Sequence, residues 1–110
     1  MKKVVILISG RGSNMKAIAE NVQTGNLQNH CEIIEIFSNK FNAEGLKLAT
    51  KMGLKTFSIA SRKQKNYNEL LFEHLKKLAP DFIILAGYMK ILNAKIVKHF
   101  NRKIINIHPA

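Results

Sequence analysis

Apolar positions along this chain follow two alternating rhythms, one continuous and one spaced as on a helix. Residues 3–8, KVVILI, run without a polar break after the lysine, the pattern of a strand buried on both faces of a parallel sheet. Ser9 and Gly10 bound it. Met15, Ile18, Ala19 and Val22 then recur at helical spacing, with Ser13 or Asn14 placed to cap the first turn. The cycle repeats with CEIIEIF (31–37) as a strand, Asn39 to Phe41 as a loop, and Ala43 to Met52 as a helix stopped by Gly53. Leu54 to Ile59 predicts a short strand. Tyr67, Leu71, Leu75 and Leu78 mark one face of a third helix that Pro80 ends, and FIILA (82–86) is a strongly apolar strand. The loop GYMK (87–90) follows. Leu92, Ile96, Val97 and Phe100 outline a short fourth helix, and KIINI (103–107) is a last strand running into His108 and Pro109.

Strand and helix alternating in this way imply βαβ units, hence an α/β fold with a doubly wound, Rossmann-like parallel sheet carrying helices on both faces. In such sheets ligands bind beyond the carboxyl ends of the strands, near a switch in strand order. Ser9 to Asn14, Gly87 to Lys90 and Asn106 to His108 are therefore expected to converge. The chain's 110 residues suffice for one domain, 1–110, which buries roughly two thirds of its unfolded surface.

Composition changes this picture little. With 46% hydrophobic and 23% charged residues the chain is expected to fold. The formal net charge of +11, from 18 Lys and Arg against 7 Asp and Glu, raises nucleic acid, an anionic membrane or phosphorylated small molecules as partners. The basic residues fall as singles and pairs with no interleaved aromatic platforms, so most of the charge reads as solvated surface, and neither nucleic acid nor membrane is expected. Cys31 is the only cysteine, which excludes an internal disulfide and a multi-cysteine zinc site; no metal is expected and a reducing cytoplasm fits. MKKVVILIS reads as a strand and not as a signal peptide.

Chemistry is concentrated in two stretches. In ISGRGSNMKAI (8–18), Gly10 and Gly12 supply two glycines of a dinucleotide fingerprint, but Met15 stands at the third, and Phe37 to Lys40 lack the ribose-binding acid. No Walker loop is present either. The stretch is then a smaller anion site, with Gly12, Ser13 and Asn14 offering backbone and side-chain donors at a helix N-terminus, or simply a tight strand-to-helix turn. In NIH (106–108), Asn106 and His108 leave the same strand face. An amide able to donate to an oxyanion beside an imidazole able to move a proton suits acyl chemistry, although such a histidine more commonly just ties off a sheet. His30, His74 and His99 fall in a turn and on helices and read as structural.

Taken together, VVILISGRGSNMKAI, IFSNK, LAPDFIILAGYMKIL and IINIHPA resemble the phosphoribosylglycinamide formyltransferase family of purine synthesis along the whole chain. Methionyl-tRNA formyltransferases share N-x-H, whereas the S-G-x-G-S-N opening resembles the glycinamide ribonucleotide branch. The resemblance implies the formyltransferase fold and transfer of a formyl group from 10-formyltetrahydrofolate to the amino group of glycinamide ribonucleotide. It further implies that Gly12, Ser13 and Asn14 bind the phosphoribosyl group, that Met89, Lys90, Ile91 and Leu92 line the folate pocket, that Asn106 helps bind the donor and stabilises the oxyanion, and that His108 is the general acid. Gln64 falls where the family has a basic folate contact, flanked by Lys63 and Lys65. Lys90 keeps the charge of a frequent arginine but not its planar fork.

In the family, N-I-H-P continues into a second half that carries an aspartate tuning the histidine. Asp81, placed before the fourth strand at the opposite end of the sheet, cannot replace it. The expectation is an N-terminal half, weakly binding and catalysing little or nothing alone, whose last strand is an apolar edge that self-associates or takes a complementary C-terminal half. A phosphate-binding module without chemistry is the other class of reading; the amide and imidazole on one strand face distinguish the formyltransferase from it.

Overall fold

The computed structural model describes residues 1–107. Strand β1 (Lys2–Ile8) leads through helix α1 (Ser13–Thr24) to β2 (Cys31–Ser38), then through α2 (Glu44–Lys51) to β3 (Thr56–Ser58). Helix α3 (Tyr67–Leu78) crosses to β4 (Phe82–Ala86), and α4 (Ala94–His99) leads to β5 (Ile104–Ile107). The strands form one parallel sheet in the order β3-β2-β1-β4-β5. The chain thus builds outward from β1 in one direction, then returns to its other side, which places the switch in strand order between β1 and β4.

The alternation of side chains along β1 divides the interior into two cores. Val4, Ile6 and Ile8 face α1 and α2, where Met15, Ala19, Leu46 and Ala49 close over them. Val5 and Leu7 face α3 and α4, against Leu71, Leu75, Ile96 and Phe100. A strand apolar on both faces can occupy only such a position, and the uninterrupted KVVILI run is the signature of that burial.

Strand β2 departs from strict alternation. Val4 pairs with Ile33 but Val5 with Glu35, so Ile34 is an extra residue in β2, a bulge that re-aims its neighbours. Glu35, almost fully buried, turns toward α3, where its Oε2 lies 2.5 Å from His74 Nε2. Phe57 stacks on the face of that imidazole with ring centroids 4.3 Å apart. His74 is structural, as its helical position implied.

Elsewhere the differences from the sequence reading are local. The cap of α1 is Gly12, in the left-handed region and without a side-chain cap bond, so neither Ser13 nor Asn14 caps; both stand inside the helix. Helix α4 begins after Asn93, whose side chain accepts the Ile96 N–H, and Leu92 precedes it. Asp81 lies at the amino end of β4, where its carboxylate accepts the Lys3 N–H at 2.8 Å and its own N–H donates to the Lys3 carbonyl. Among the described residues β5 pairs with β4 alone and leaves Ile105 exposed at the sheet edge.

Two outcomes follow for stability. His74→Ala strands a buried carboxylate and should cost about 3 kcal/mol or more in urea denaturation, while Glu35→Leu with His74→Leu should recover most of it. Equal loss in the single and double variants would contradict the pairing. The bond from the Lys3 amide holds the Asp81 carboxyl below its usual range, helped by the charges of Lys2, Lys103 and Lys3. A lowered acid stabilises the fold above its unfolded-state value and loses that contribution as pH falls through its folded-state value. The Tm deficit of Asp81→Asn should therefore be present at neutral pH and shrink in acid below the ordinary carboxylate range.

Candidate functional site

The carboxyl end of β1 delivers a serine to the one place where three loops meet. Ser9 is buried, so its polar atoms need partners. Its N–H donates to the Gly87 carbonyl at 3.2 Å, and its Oγ accepts the Met89 N–H at 2.8 Å. The same hydroxyl donates to Asn39 Oδ1 at 2.6 Å. Asn39, also buried, donates through Nδ2 to Ser61 Oγ at 3.3 Å, and Ser61 returns its N–H to the Asn39 carbonyl at 3.1 Å. The loops after β1, β2, β3 and β4 are thereby fixed to one another. Among the described residues no buried side-chain nitrogen or oxygen lacks a partner.

The glycine turn is held by a second contact. Gly12 has φ of 80°, and a Cβ there would stand 2.8 Å from the Cα of Gly45. Gly45 lies in the first turn of α2 and donates its N–H to the Gly10 carbonyl at 2.9 Å. Two backbones cross here without room for a side chain on either. The crossing explains why glycine takes the cap position despite the hydroxyl that follows it.

A groove of about 550 Å³ opens between the loops after β2, β3 and β4, lined by Asn39, Lys40, Phe41 and Asn42, by Ala60 to Lys63, and by Met89 and Lys90. Its four charged residues are all cationic. Behind it Tyr88 is tied to α3, its hydroxyl 2.5 Å from that of Tyr67. Burial pushes both phenols above their usual range, and the shared hydrogen bond pushes Tyr67 up further. Both stay protonated near neutrality, which preserves the bond. Ser9, through Gly87 and Met89, and Tyr67, through Tyr88, together hold the GYMK loop.

Gly12, Ser13 and Asn14 sit together at the start of α1, with Ser13 exposed and Asn14 half-buried. Met89 and Lys90 line the groove. Ile91 is almost wholly exposed, and Leu92 packs against the α3 and α4 core. Gln64 does not join them. It lines a separate groove with Phe57, His74 and Lys77, while Arg62 and Lys63 from the same turn face Met89 and Lys90. Asn106 is exposed on β5, opposite Leu85 and one position before the sheet's carboxyl edge. His108 lies outside the described residues.

Sequence reasoning placed Ser9 at the start of a converging loop without assigning its hydroxyl a role, took Asn39 as a loop residue where an acid is missing, and passed over Ser61 and Gly45. A glycine in the first turn of a helix was the available signal for Gly45. Nothing in the spacing pointed to the Ser9 hydroxyl.

The formyl transferase family model matches residues 2–110. The chain is 36% identical over 110 residues to phosphoribosylglycinamide formyltransferase of Escherichia coli (strain K12), covering 97% of this chain and 51% of that protein. To the enzyme of the same name from Haemophilus influenzae it is 37% identical, covering 100% of this chain and 52% of that one. The structure of phosphoribosylglycinamide formyltransferase from Brucella melitensis superposes with a TM-score of 0.89 at 35% identity, over 98% of this chain and 57% of that chain. The chain therefore spans about half the length of these bacterial relatives.

The Ser9 hydroxyl is tested by removing it. Ser9→Ala leaves the Met89 N–H and Asn39 Oδ1 without their partner and should cost about 1–3 kcal/mol. Hydrogen exchange at the Met89 amide should accelerate more than at the amides of β4; uniform acceleration would mean that the network does not hold the loop.

Proposed function

Since the chain belongs to the formyl transferase family, we propose that it takes part in formyl transfer from 10-formyltetrahydrofolate to the amino group of glycinamide ribonucleotide. The observation that carries the reading is the joining of the glycine turn and the GYMK loop through Ser9 at the carboxyl end of a parallel sheet, within a chain matched over residues 2–110. An acceptor seat and a donor seat in contact are what a transfer reaction requires.

In this reading the acceptor's phosphate rests on Gly12, Ser13 and Asn14, where backbone N–H groups at the start of α1 are free of a side-chain cap. Met89 and Lys90 hold the donor, whose groove has the volume of an ordinary small-molecule site. The donor, when bound, supplies a formyl carbon that gains a bond to the acceptor nitrogen and loses its bond to the folate N10. Asn106 donates from its side-chain amide to the oxyanion that develops as the amine adds. His108 delivers a proton to the departing nitrogen, while the attacking amine releases one. Lys90 counters negative charge on the donor.

Both ligands can be followed directly. Glycinamide ribonucleotide should raise the Tm of the chain, and Ser13→Ala should weaken its binding about tenfold by removing a donor to a charged group. Asn106→Ala should leave nucleotide affinity unchanged and lower formyl transfer by the chain combined with a complementary C-terminal half, read as formylated product by mass, about 10²–10³-fold. No stabilisation by nucleotide or by folate would overturn the proposal.

A further inference from the structure

The chain's two tyrosines, Tyr67 at the start of α3 and Tyr88 in the loop after β4, meet hydroxyl to hydroxyl at 2.5 Å. Their rings belong to the core on the α3 and α4 side, Tyr67 within it and Tyr88 packed against it. Phenylalanine would supply the same rings. A phenol adds only an oxygen that must be desolvated and then paired, so packing alone does not account for the two hydroxyls.

What each tyrosine is attached to gives their bond its consequence. Tyr67 donates its N–H to the Gln64 carbonyl at 3.2 Å, and Gln64 donates its own N–H to the Ala60 carbonyl at 3.2 Å. Ser61, the next residue, is bonded to Asn39, Asn39 to Ser9, and Ser9 to the Met89 N–H. Met89 follows Tyr88 in the chain. Bonds and chain thus close a ring, which crosses from the loop after β3 to the loop after β4 at the two tyrosine hydroxyls. Residues 87–90 belong to no helix or strand, and Gly87 turns through a φ of 72°. The place of this loop therefore depends on its bonds to the rest of the molecule. Met89 and Lys90 line the groove from it, whereas neither tyrosine does.

We infer that Tyr67 and Tyr88 are positioning residues for the formyl donor, their hydroxyl pair closing the ring that holds Met89 and Lys90 in place before the donor arrives. The donor's identity rests on the proposed function; the ring exists in the chain without any ligand. A loop ordered in advance spares binding the cost of ordering it. Opening the ring moves that cost into the binding step, and one net hydrogen bond corresponds to about fivefold in affinity.

The double variant Tyr67→Phe, Tyr88→Phe separates positioning from stability, because it removes both hydroxyls and leaves neither unpaired. Its Tm should stay that of the unmodified chain. Without ligand, hydrogen exchange should accelerate several-fold at the amides of Met89 and of Ser61, on the far side of the ring, while the amides of β4 keep their rates. It should bind 10-formyltetrahydrofolate about fivefold more weakly and glycinamide ribonucleotide as before. Tyr88→Phe alone should weaken donor binding equally, since both variants break the same bond. A role in packing alone would lower the Tm and spare the difference between the two ligands, which overturns the inference. Unchanged exchange at Met89 and Ser61, or equal donor affinity of the double variant and the unmodified chain, also overturns it. Failure of the unmodified chain to bind 10-formyltetrahydrofolate, with exchange responding as expected, would instead refute the proposed function and, with it, the pair's role toward the donor.

Discussion

Burial of β1 on both faces is the constraint from which the rest of the molecule follows. Its side chains alternate between two cores and both its edges are hydrogen-bonded, to β2 and to β4. A polar side chain within it would have to be desolvated with no partner to meet, which costs several kcal/mol in an apolar interior. Chemistry is thus confined to the point where the strand leaves the sheet. Ser9 is that point, and it is the residue from which bonds run to the loops after β2 and β4.

Such an arrangement makes the site an outgrowth of the core. The hydroxyl of Ser9 is placed by a strand that cannot shift without disturbing two packed layers. Asn39 and Ser61 carry that placement outward, and the tyrosine pair braces the GYMK loop from α3. Loops at the ends of sheets are commonly the mobile parts of an α/β domain. Here their shared hydrogen bonds give them a common reference, so groups destined for different ligands keep their spacing.

Much of this was legible in the sequence because burial leaves a periodic trace. KVVILI could only be central, Tyr67 to Leu78 could only be an amphipathic helix, and Pro80 ended it where expected. The convergence of the glycine turn with GYMK followed from the topology alone. What could not be read depended on through-space contacts between positions far apart. CEIIEIF is apolar enough to suit either face, so the bulge at Ile34, and with it the burial of Glu35, left no mark. Ser13 is the better cap by residue type, but the approach of Gly45 decides the matter. Arg62, Lys63 and Gln64 share one turn, and spacing cannot say which of them faces which groove.

The crossing of Gly12 and Gly45 also bears on how such a fold can change over time. Most packed pairs tolerate exchange, a larger side chain on one partner being accommodated by a smaller one on the other. Neither partner here has anything to give up, since what each Cβ would meet includes the other's backbone. No second substitution at the partner position can rescue the first. Correlated variation between aligned sequences, which reveals so many contacts, would be silent at this one because neither position has room to vary.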